Sequence, residues 1–344
     1  MLSEIIKSKG VLIIAEVGQA HEGSLGFAHY YIDAAAKAGA DIVKFQTHMA
    51  HAESTMNEPW RVKFSYEDEY RYDYWKRMEF TEEQWAGLKK HAEEKGMMFM
   101  STPFSLEAAE LLDRIGISIW KVSSGEVNDP WLMEKLLSTG KPIIFSTGMS
   151  TMEAICNYAA QLEKKKIEYA ILQCTSMYPV LPKDVGLNVI DDLKKKYQVP
   201  IGLSDHSGTI YPALAAVSRG ASIIEAHICM SKNDFGPDVK ASLTVEEFQK
   251  MTEGVREISE MLANPVDKDK LAGELSRSSQ IFSKSVCAKR RIEKGEILTR
   301  DMLILKKPCI GIPAKEVETI LGKKVTKAYE QDEFIERKYL EDEA

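Results

Sequence analysis

Eight short apolar runs, each followed by an amphipathic segment of helical period, constrain the fold of this chain more than any other feature. The runs are rich in Val and Ile, which is typical of strands buried in a parallel sheet, and the intervening segments suit crossover helices. Eight such units between Gly10 and Leu262 predict a (β/α)8 TIM barrel rather than an open doubly wound sheet. The candidate strands are VLIIAEVG, ADIVKFQT, MMFMSTPF, IWKVSSGE, KPIIFSTG, EYAILQCTS, VPIGLSDH and ASIIEAHI.

Several common functions of α/β proteins have little support in this sequence. No G-x-G-x-x-G fingerprint follows the first run, which argues against a dinucleotide-binding fold. The formal net charge is -7 and the basic residues are spread along the chain, unlike a surface for nucleic acid or anionic membrane. The amino-terminal segment does not have a secretory pattern and no run is long enough to span a bilayer. We therefore expect a cytoplasmic protein that binds small molecules.

One βα connection, from Thr47 to Phe80, is much longer than the usual loop of about 4–6 residues. It is rich in Trp and Tyr among charged residues. The segment could be a lid from which Arg61, Tyr74 or Arg77 reaches a substrate, or a structural cover on the rim of the barrel. The sequence favours neither reading.

The composition changes after a polar stretch that begins near residue 264, and short strand and turn patterns follow. Two segments there resemble each other, which predicts a small second domain built from two copies of one β element. We place the barrel at residues 1–265, a linker at 266–283 and the small domain at 284–344. The aligned pairs are Gly295 with Asp332, Glu296 with Glu333, Arg300 with Arg337, and Leu303 with Leu340.

Polar residues follow almost every predicted strand of the barrel. In this fold the residues at the carboxyl ends of the strands converge on one face, where the chemistry is built. One such residue alone would more often be structural, but many together indicate an active site. They are Glu16, Lys44, Gln46, Thr102, Lys121, Ser124, Ser146, Ser176, Tyr178, Ser204, Asp205, His206, Glu225 and His227.

Two pairs within this set suggest specific ligands. His206 and His227 end neighbouring predicted strands about 4.8 Å apart, so two neutral imidazoles could hold one divalent metal and leave positions for substrate and water. Lys44 and Lys121 suit a phosphate, because ammonium groups neutralise its charge and the hydroxyls between them donate directed hydrogen bonds. Lys121 could instead form a Schiff base, and this alternative stays open.

Strings spread from Ile13 to Leu243 resemble, in order, those of the sialic acid synthase family. The carboxyl-terminal domain resembles the antifreeze-like SAF domain, a β-clip fold, of the same enzymes. One string would be weak evidence, whereas eight in one order at barrel-compatible spacing are specific. The strings are IIAEVGQAHEGS, GADIVKFQT, STPFS, WKVSSGE, FSTGMS, QCTSMYP, GLSDHSG, and EAHI followed by GPDVKASL.

The resemblance implies a nonulosonic acid synthase. Such an enzyme condenses phosphoenolpyruvate with an N-acetylmannosamine-type aldose, and yields a nine-carbon 3-deoxy-2-keto acid and phosphate by C–O cleavage. By the family pattern, His206 and His227 would hold a divalent metal, Mn²⁺ or another ion such as Mg²⁺, that acts as a Lewis acid. Phosphoenolpyruvate would be held by Lys44, Thr102, Lys121, Ser124, Ser146, Ser176 and Ser204.

The same resemblance implies roles for the remaining polar residues. Glu16 and Glu225 would stabilise the cation-like centre at C2 and handle the attacking water, and the sequence does not divide these tasks between them. The sugar would be bound by Asp238, Gln46 and Tyr178.

The chain departs from the family pattern where the sugar would be recognised. Many relatives carry Arg-Pro-Gly in the small domain, and its arginine reaches the sugar's N-acyl group from the partner subunit. Here the matching string is KKPCIGI, in which Lys307 is not a bidentate replacement for arginine. The resemblance, together with the thin core of the small domain, implies a domain-swapped homodimer.

Three alternatives stand beside the use of N-acetylmannosamine. The same chemistry on a 6-deoxy di-N-acetylated hexose would give legionaminic or pseudaminic acid. A Schiff-base pyruvate lyase and a non-catalytic sugar-binding protein are the other two. The presence of both carboxylates, both imidazoles and both lysines argues against simple binding, which needs no such set.

Overall fold

The computed structural model describes residues 1–342 and divides the chain into two units, the first of them Met1–Asn264 and the second beginning at Pro265. The last two residues of the small domain predicted from the sequence, 343 and 344, lie outside the described residues. Among residues 1–342, none of the helices has the length and apolar character that crossing a membrane requires.

The first unit is the predicted (β/α)8 barrel. Its eight parallel strands pair in the order β3-β2-β1-β8-β7-β6-β5-β4, so that β8 returns to β1. β3 and β4 lie side by side without a hydrogen-bonded ladder, which leaves the barrel nearly closed. The strands are β1 Leu12–Gly18, β2 Ile42–Thr47, β3 Met98–Pro103, β4 Trp120–Val122, β5 Ile143–Ser146, β6 Tyr169–Cys174, β7 Ile201–Asp205 and β8 Ile223–Cys229, with a short β9, Leu243–Thr244, beside β8.

Helices connect the strands around the outside of the barrel. Several begin where a Ser, Thr or Asp side chain accepts a backbone N–H of the first turn, which satisfies a group that the helix itself leaves unpaired; these caps are Ser24, Thr81, Ser105, Asp129, Thr151 and Thr244. The helices of the first unit are α1 Leu2–Lys9, α2 Leu25–Lys37, α3 Ala50–Glu53, α4 Arg71–Met78, α5 Glu82–Glu94, α6 Leu106–Arg114, α7 Pro130–Ser138, α8 Met152–Lys164, α9 Leu187–Lys196, α10 Tyr211–Ser218 and α11 Val245–Ala263.

The long connection after β2 contains α3 and α4 and has an apolar cluster of its own. Tyr74 and Trp75 of α4 are buried in it, and Trp60 packs against them. Arg77 fastens the segment to the barrel, since its guanidinium donates to the backbone oxygen of Glu22, after β1, at 3.0 Å. The same guanidinium binds the Asp68 carboxylate of the segment itself at 2.7 Å. The segment therefore has the packed interior expected of a structural cover.

The amino terminus of α1 is held by one carboxylate. Glu168, at the start of β6, accepts hydrogen bonds from the backbone N–H groups of Leu2 at 2.9 Å and Ser3 at 2.7 Å, and from the terminal amino group at 3.0 Å. These are the donors that a helix leaves unpaired at its first turn. The contacts place Leu2 and Ile6 against the apolar side chains inside the barrel.

Replacing Glu168 with glutamine should lower the free energy of unfolding by about 1–2 kcal/mol at neutral pH, because charge-assisted hydrogen bonds are lost. Burial opposes ionisation of Glu168, but its hydrogen bonds from Ser3, the amino terminus and Leu2 outweigh burial and lower its pKa to about 2. A carboxyl group of lowered pKa stabilises the fold above its unfolded pKa of about 4.3, and this stabilisation is lost as the pH falls towards 2. Chemical denaturation should therefore show a wild-type advantage that shrinks below about pH 4; a constant difference would contradict the assignment.

The second unit contains the sequence repeat, and its two copies have matching conformations. Gly295 and Asp332 both have positive φ, at 97° and 69°. Glu296 and Glu333 each accept a backbone N–H from three residues earlier, and a short 3-10 turn and a strand follow in each copy. The elements of this unit are α12 Lys268–Glu274, α13 Ser276–Phe282, β10 Ser285–Ala288, β11 Leu303–Lys306, β12 Lys324–Val325 and β13 Leu340–Glu341.

Candidate active site

A cavity of about 420 Å³ opens at the carboxyl ends of the barrel strands, and all but three of the predicted site residues line it. Asp205 does not line it and instead accepts a hydrogen bond from Ser207 Oγ at 2.7 Å. Thr102 lies beside the cavity, with its Oγ1 3.4 Å from Lys44 Nζ. Lys307 lies in the second unit, where its Nζ is 5.4 Å from the centre of the Phe282 ring. The predicted residues that line the cavity are Glu16, Lys44, Gln46, Lys121, Ser124, Ser146, Ser176, Tyr178, Ser204, His206, Glu225, His227 and Asp238.

Two buried lysines and two buried glutamates meet at the floor of the cavity. Lys44 Nζ lies 2.6 Å from Glu16 Oε2, and Lys121 Nζ donates to Ser146 Oγ at 2.7 Å. Glu225 Oε1 lies 3.6 Å from the Lys121 ammonium and 3.9 Å from that of Lys44. The four charges therefore compensate one another within a few ångströms, as buried charges must.

The environment shifts the pKa values of these groups in different directions. Burial opposes the charged form of Lys44, but Glu16 and Glu225 outweigh it and raise the pKa of Lys44. Burial lowers the pKa of Lys121. Burial opposes ionisation of Glu225 too, yet Lys121 and Lys44 outweigh it and bring its pKa to about 2. Glu225 is thus a carboxylate at neutral pH.

The two glutamates differ in how their oxygens are occupied. Glu16 Oε1 accepts a hydrogen bond from Gln46 at 2.7 Å, and its other oxygen faces Lys44. Glu225 Oε1 accepts from Ser204 at 3.0 Å, whereas its Oε2 has no hydrogen-bond partner among the described residues. Glu16 Oε2 likewise accepts no hydrogen bond there, but it lies 2.6 Å from the Lys44 ammonium. A buried acceptor without a partner is costly, which marks Glu225 Oε2 as the oxygen available to a ligand.

His206 and His227, on the neighbouring ends of β7 and β8, lie close together as predicted, with ring centres 5.2 Å apart. His206 Nδ1 lies 3.3 Å from the backbone oxygen of Thr175. Because a carbonyl can only accept, this contact assigns the proton to Nδ1 and leaves Nε2 with a lone pair. Burial, and then the neighbouring His227, lower the pKa of His206 to about 3, so the ring is neutral.

The donor atoms of His206 and His227 are of a type that binds divalent cations. A neutral imidazole nitrogen is a common ligand of such ions, and the Nδ1 contact of His206 is the kind of outer hydrogen bond that orients it. Within residues 1–342, no group of three or more His, Cys, Asp or Glu side chains forms a complete metal site. A metal held here would have two protein ligands and open positions, and its presence stays a prediction.

A cup of small side chains closes around Gly148, a residue that the sequence did not nominate. The backbone N–H of Gly148 donates to Ser124 Oγ at 2.8 Å. A Cβ at Gly148 would lie 2.8 Å from Cys174 Sγ and 2.9 Å from Ser124 Oγ, and would clash with Ser176 Oγ. Only glycine leaves this space, and the string STG at the end of β5 is the local signal that could have revealed it.

The outer wall of the cavity comes largely from the long connection after β2. Arg61 and Tyr74 line the cavity, whereas Arg77 does not. His48 is buried between the rings of Trp75 and Phe104, with ring centres 4.0 and 4.5 Å away. No periodic pattern locates these residues within the segment, so the sequence offered Arg61 and Tyr74 only as candidates of one of two readings and did not name His48. The other charged or amide residues of the lining that it missed are Gln19, Glu53, Glu58, Arg71 and Glu126.

Comparison with known proteins gives consistent results along the whole chain. The model of the NeuB family matches residues 31–267, and that of the SAF domain matches residues 283–338. The N,N'-diacetyllegionaminic acid synthase of Campylobacter jejuni is 35% identical over 333 residues, which are 95% of this chain and 99% of that protein. Human N-acetylneuraminate-9-phosphate synthase is 34% identical over 329 residues, 94% of this chain and 90% of that protein.

A solved structure is similar as well. The N-acetylneuraminic acid synthetase of Leptospira borgpetersenii, in complex with citrate, superposes with a TM-score of 0.68 at 30% identity and covers 78% of this chain and 92% of that chain. The family resemblance stated from the sequence is confirmed by these matches, as is the SAF domain. The chain therefore belongs to the NeuB family and carries a SAF domain after its barrel.

Proposed function

We propose that this protein is an enzyme that condenses phosphoenolpyruvate with an N-acetylmannosamine-type aldose and forms a nine-carbon 3-deoxy-2-keto acid and phosphate. The observation that carries the proposal is the convergence of Lys44, Lys121, Glu225 and the two imidazoles on one cavity. The names of the relatives support it, because they are synthases of legionaminic and neuraminic acids. The same chemistry on a 6-deoxy di-N-acetylated hexose is the alternative.

Phosphoenolpyruvate would bind at the floor of the cavity. Lys44 and Lys121 supply the positive charge that a trianion requires, and the cup around Gly148 supplies small donors for its phosphate. The ion pairs of the two lysines with Glu16 and Glu225 hold the ammonium groups in place beforehand. The predicted hydroxyl donors are Thr102, Ser124, Ser146, Ser176 and Ser204.

The reaction forms one carbon–carbon bond and breaks one carbon–oxygen bond. C3 of phosphoenolpyruvate bonds to the aldehyde carbon, and the aldehyde oxygen takes a proton and becomes a hydroxyl group. Water then adds to C2 and loses a proton, and phosphate leaves with the C2–O electron pair, so that C2 becomes the ketone. The net reaction consumes one water for each phosphate released.

His206 and His227 would hold the divalent metal, for which Mn²⁺ is our first choice and Mg²⁺ the alternative. A bound divalent ion would supply Lewis-acid stabilisation of the charge that develops on the aldehyde oxygen. Burial keeps the His206 ring neutral and ready to bind a cation.

The geometry suggests a division of labour between the two glutamates. Glu225 has an oxygen without a partner, so we assign to it the orientation of the attacking water and the acceptance of its proton. Glu16, whose oxygens face Gln46 and Lys44, would stabilise the positive charge that develops at C2. The aldose would be bound by Asp238, Gln46 and Tyr178.

Two further proposals rest on the sequence alone. The resemblance implies a homodimer in which the small domain of one protomer, through Lys307, contributes to the sugar site of the other. The cytoplasmic location expected from the amino-terminal sequence likewise stays a proposal.

Incubation with phosphoenolpyruvate, Mn²⁺ and a panel of aldoses tests the proposed function. The panel includes N-acetylmannosamine and 2,4-diacetamido-2,4,6-trideoxymannose. At least one aldose should release phosphate and form a keto acid in equal amount, and chelation of the metal should stop both. Absence of phosphate release with every aldose would contradict the proposal.

Replacing Gly148 with alanine should raise the KM for phosphoenolpyruvate by at least about 10-fold, because the new methyl group occupies the cup and overpacking of a rigid site costs about 1–3 kcal/mol. Steady-state kinetics with phosphoenolpyruvate as the varied substrate measures the change. Gly87→Ala is the matched control, since a Cβ built there meets no atom within 4 Å beyond its chain neighbours and the backbone of its own helix. An unchanged KM in the Gly148 variant would show that phosphate binds elsewhere.

A further inference from the structure

Arg61, in the long connection after β2, is placed on the wall of the cavity by three contacts. Its guanidinium forms an ion pair with the Asp238 carboxylate, and Nη2 donates to the backbone oxygen of Pro237 at 3.4 Å. Its Cζ also lies 4.4 Å from the centre of the Tyr178 ring. Arg61 thus lies between the two residues that we assign to the aldose, Asp238 and Tyr178.

The guanidinium retains donors for a ligand. Both protein hydrogen bonds of Arg61 use Nη2, and its Nε and Nη1 groups donate to no acceptor among residues 1–342. The side chain is 38% exposed and lines the cavity, so these donors can be reached. The Asp238 carboxylate already balances the charge of Arg61. The pair can therefore donate hydrogen bonds to a neutral sugar oxygen without burying an uncompensated charge.

The surrounding wall disfavours an anionic group on the aldose. Arg71, the other guanidinium that lines the cavity, lies 3.2 Å from the Glu58 carboxylate and is balanced in turn. Glu53 accepts from His48 at 2.7 Å, and Glu126 adds a further carboxyl group. Acidic groups therefore outnumber the guanidinium groups on this wall, and a phosphate there would meet like charge.

We infer that Arg61 is a specificity-determining residue of the aldose subsite, where it donates hydrogen bonds to an uncharged oxygen of the sugar and thereby selects an aldose that carries no phosphate. This inference rests on the proposed function, because it concerns the second substrate of the same reaction. It assigns a second role to the long connection after β2, which would recognise the aldose as well as cover the barrel.

The test compares wild type, Arg61→Ala and Arg61→Lys with the aldose of the panel that wild type turns over. Loss of a hydrogen bond from a charged donor should raise the KM for the aldose by about 10- to 100-fold in Arg61→Ala, whereas the KM for phosphoenolpyruvate should change less than about 2-fold. The KM for the aldose in Arg61→Lys should lie between those of wild type and Arg61→Ala, because one ammonium group cannot reproduce the paired donors of a planar guanidinium. Lys63→Ala is the control for the segment, because the hydrogen bonds of Lys63 within residues 1–342 go to backbone oxygens of Asp68 and Glu69, its ammonium otherwise lies over the Trp60 ring, and it does not line the cavity.

A second arm measures kcat/KM of wild type for N-acetylmannosamine and for its 6-phosphate. The phosphorylated sugar should be used at least about 10-fold less efficiently, as expected where like charges meet at a partly exposed site. Preference for the 6-phosphate, or an Arg61→Ala variant whose two KM values rise equally or not at all, would overturn the inference. No phosphate release with any aldose would instead refute the proposed function, and the inference with it.

Discussion

Replacing His206 or His227 with alanine is expected to lower kcat/KM by at least about 10³-fold, because each variant loses one of the two ligands proposed for a metal that stabilises the transition state by several kcal/mol. The centres of the two rings lie 5.2 Å apart. Each imidazole therefore has its own position, and the one that remains in a variant cannot occupy the position of the one removed. Titration with Mn²⁺, followed by electron paramagnetic resonance, should show that each variant has lost the tight site of the wild type.

His51→Ala is the matched control for these variants. His51 is an exposed imidazole of α3 that does not line the cavity, so its removal should leave activity and Mn²⁺ binding unchanged. A His206→Ala or His227→Ala variant that binds Mn²⁺ as wild type does would show that the metal, if one is used, has other ligands. Circular dichroism of each variant separates this outcome from loss of the fold.

Replacing Glu225 with glutamine should lower kcat by about 10²- to 10⁴-fold, the range over which a positioned acid or base contributes to catalysis. The change keeps the size of the side chain but removes the charge that faces Lys121 and Lys44. Because Glu16 still faces Lys44, phosphoenolpyruvate should bind to the variant. Calorimetric titration with phosphoenolpyruvate and steady-state kinetics therefore measure the two effects separately.

The parallel variant Glu16→Gln tests the proposed division between the glutamates. If Glu225 accepts the proton of the attacking water, the acidic limb of the pH profile, where a general base is lost by protonation, should change only in Glu225→Gln. Glu110→Gln, on the exposed face of α6, is the control for removal of a carboxylate. A Glu225→Gln variant with kcat within about 3-fold of wild type would remove this residue from the catalytic group.

The barrel could be predicted from the sequence alone, for a physical reason. Strands buried on both faces must be apolar along their length, and the helices between them must be amphipathic. The alternation of apolar runs with amphipathic segments can therefore be recognised in the sequence. Once eight parallel strands are placed, closure brings their carboxyl ends together. The proximity of His206 to His227 followed from this geometry, because they end successive strands.

The repeat of the small domain was readable for a similar reason. Gly295 and Asp332 occupy the same turn in each copy, and both adopt a positive φ that glycine and aspartate tolerate better than most residues. Glu296 and Glu333 then bond to the same backbone position of their own copies. Such interactions span only a few residues, so they leave a pattern in the sequence.

The local order of residues did not determine the contacts between distant segments. The pairing of Arg61 with Asp238 joins residues 177 positions apart, and the cup at Gly148 is formed by side chains at the ends of two other strands, β4 and β6. The long connection after β2 has no period that assigns a face to each residue, so its packing against the barrel decides which side chains enter the cavity. Sequence periodicity thus determined the barrel and the set of chemical groups at its strand ends, whereas tertiary packing decided their charges, their free donors and the shape of the space they enclose, because these depend on which atoms meet across the fold.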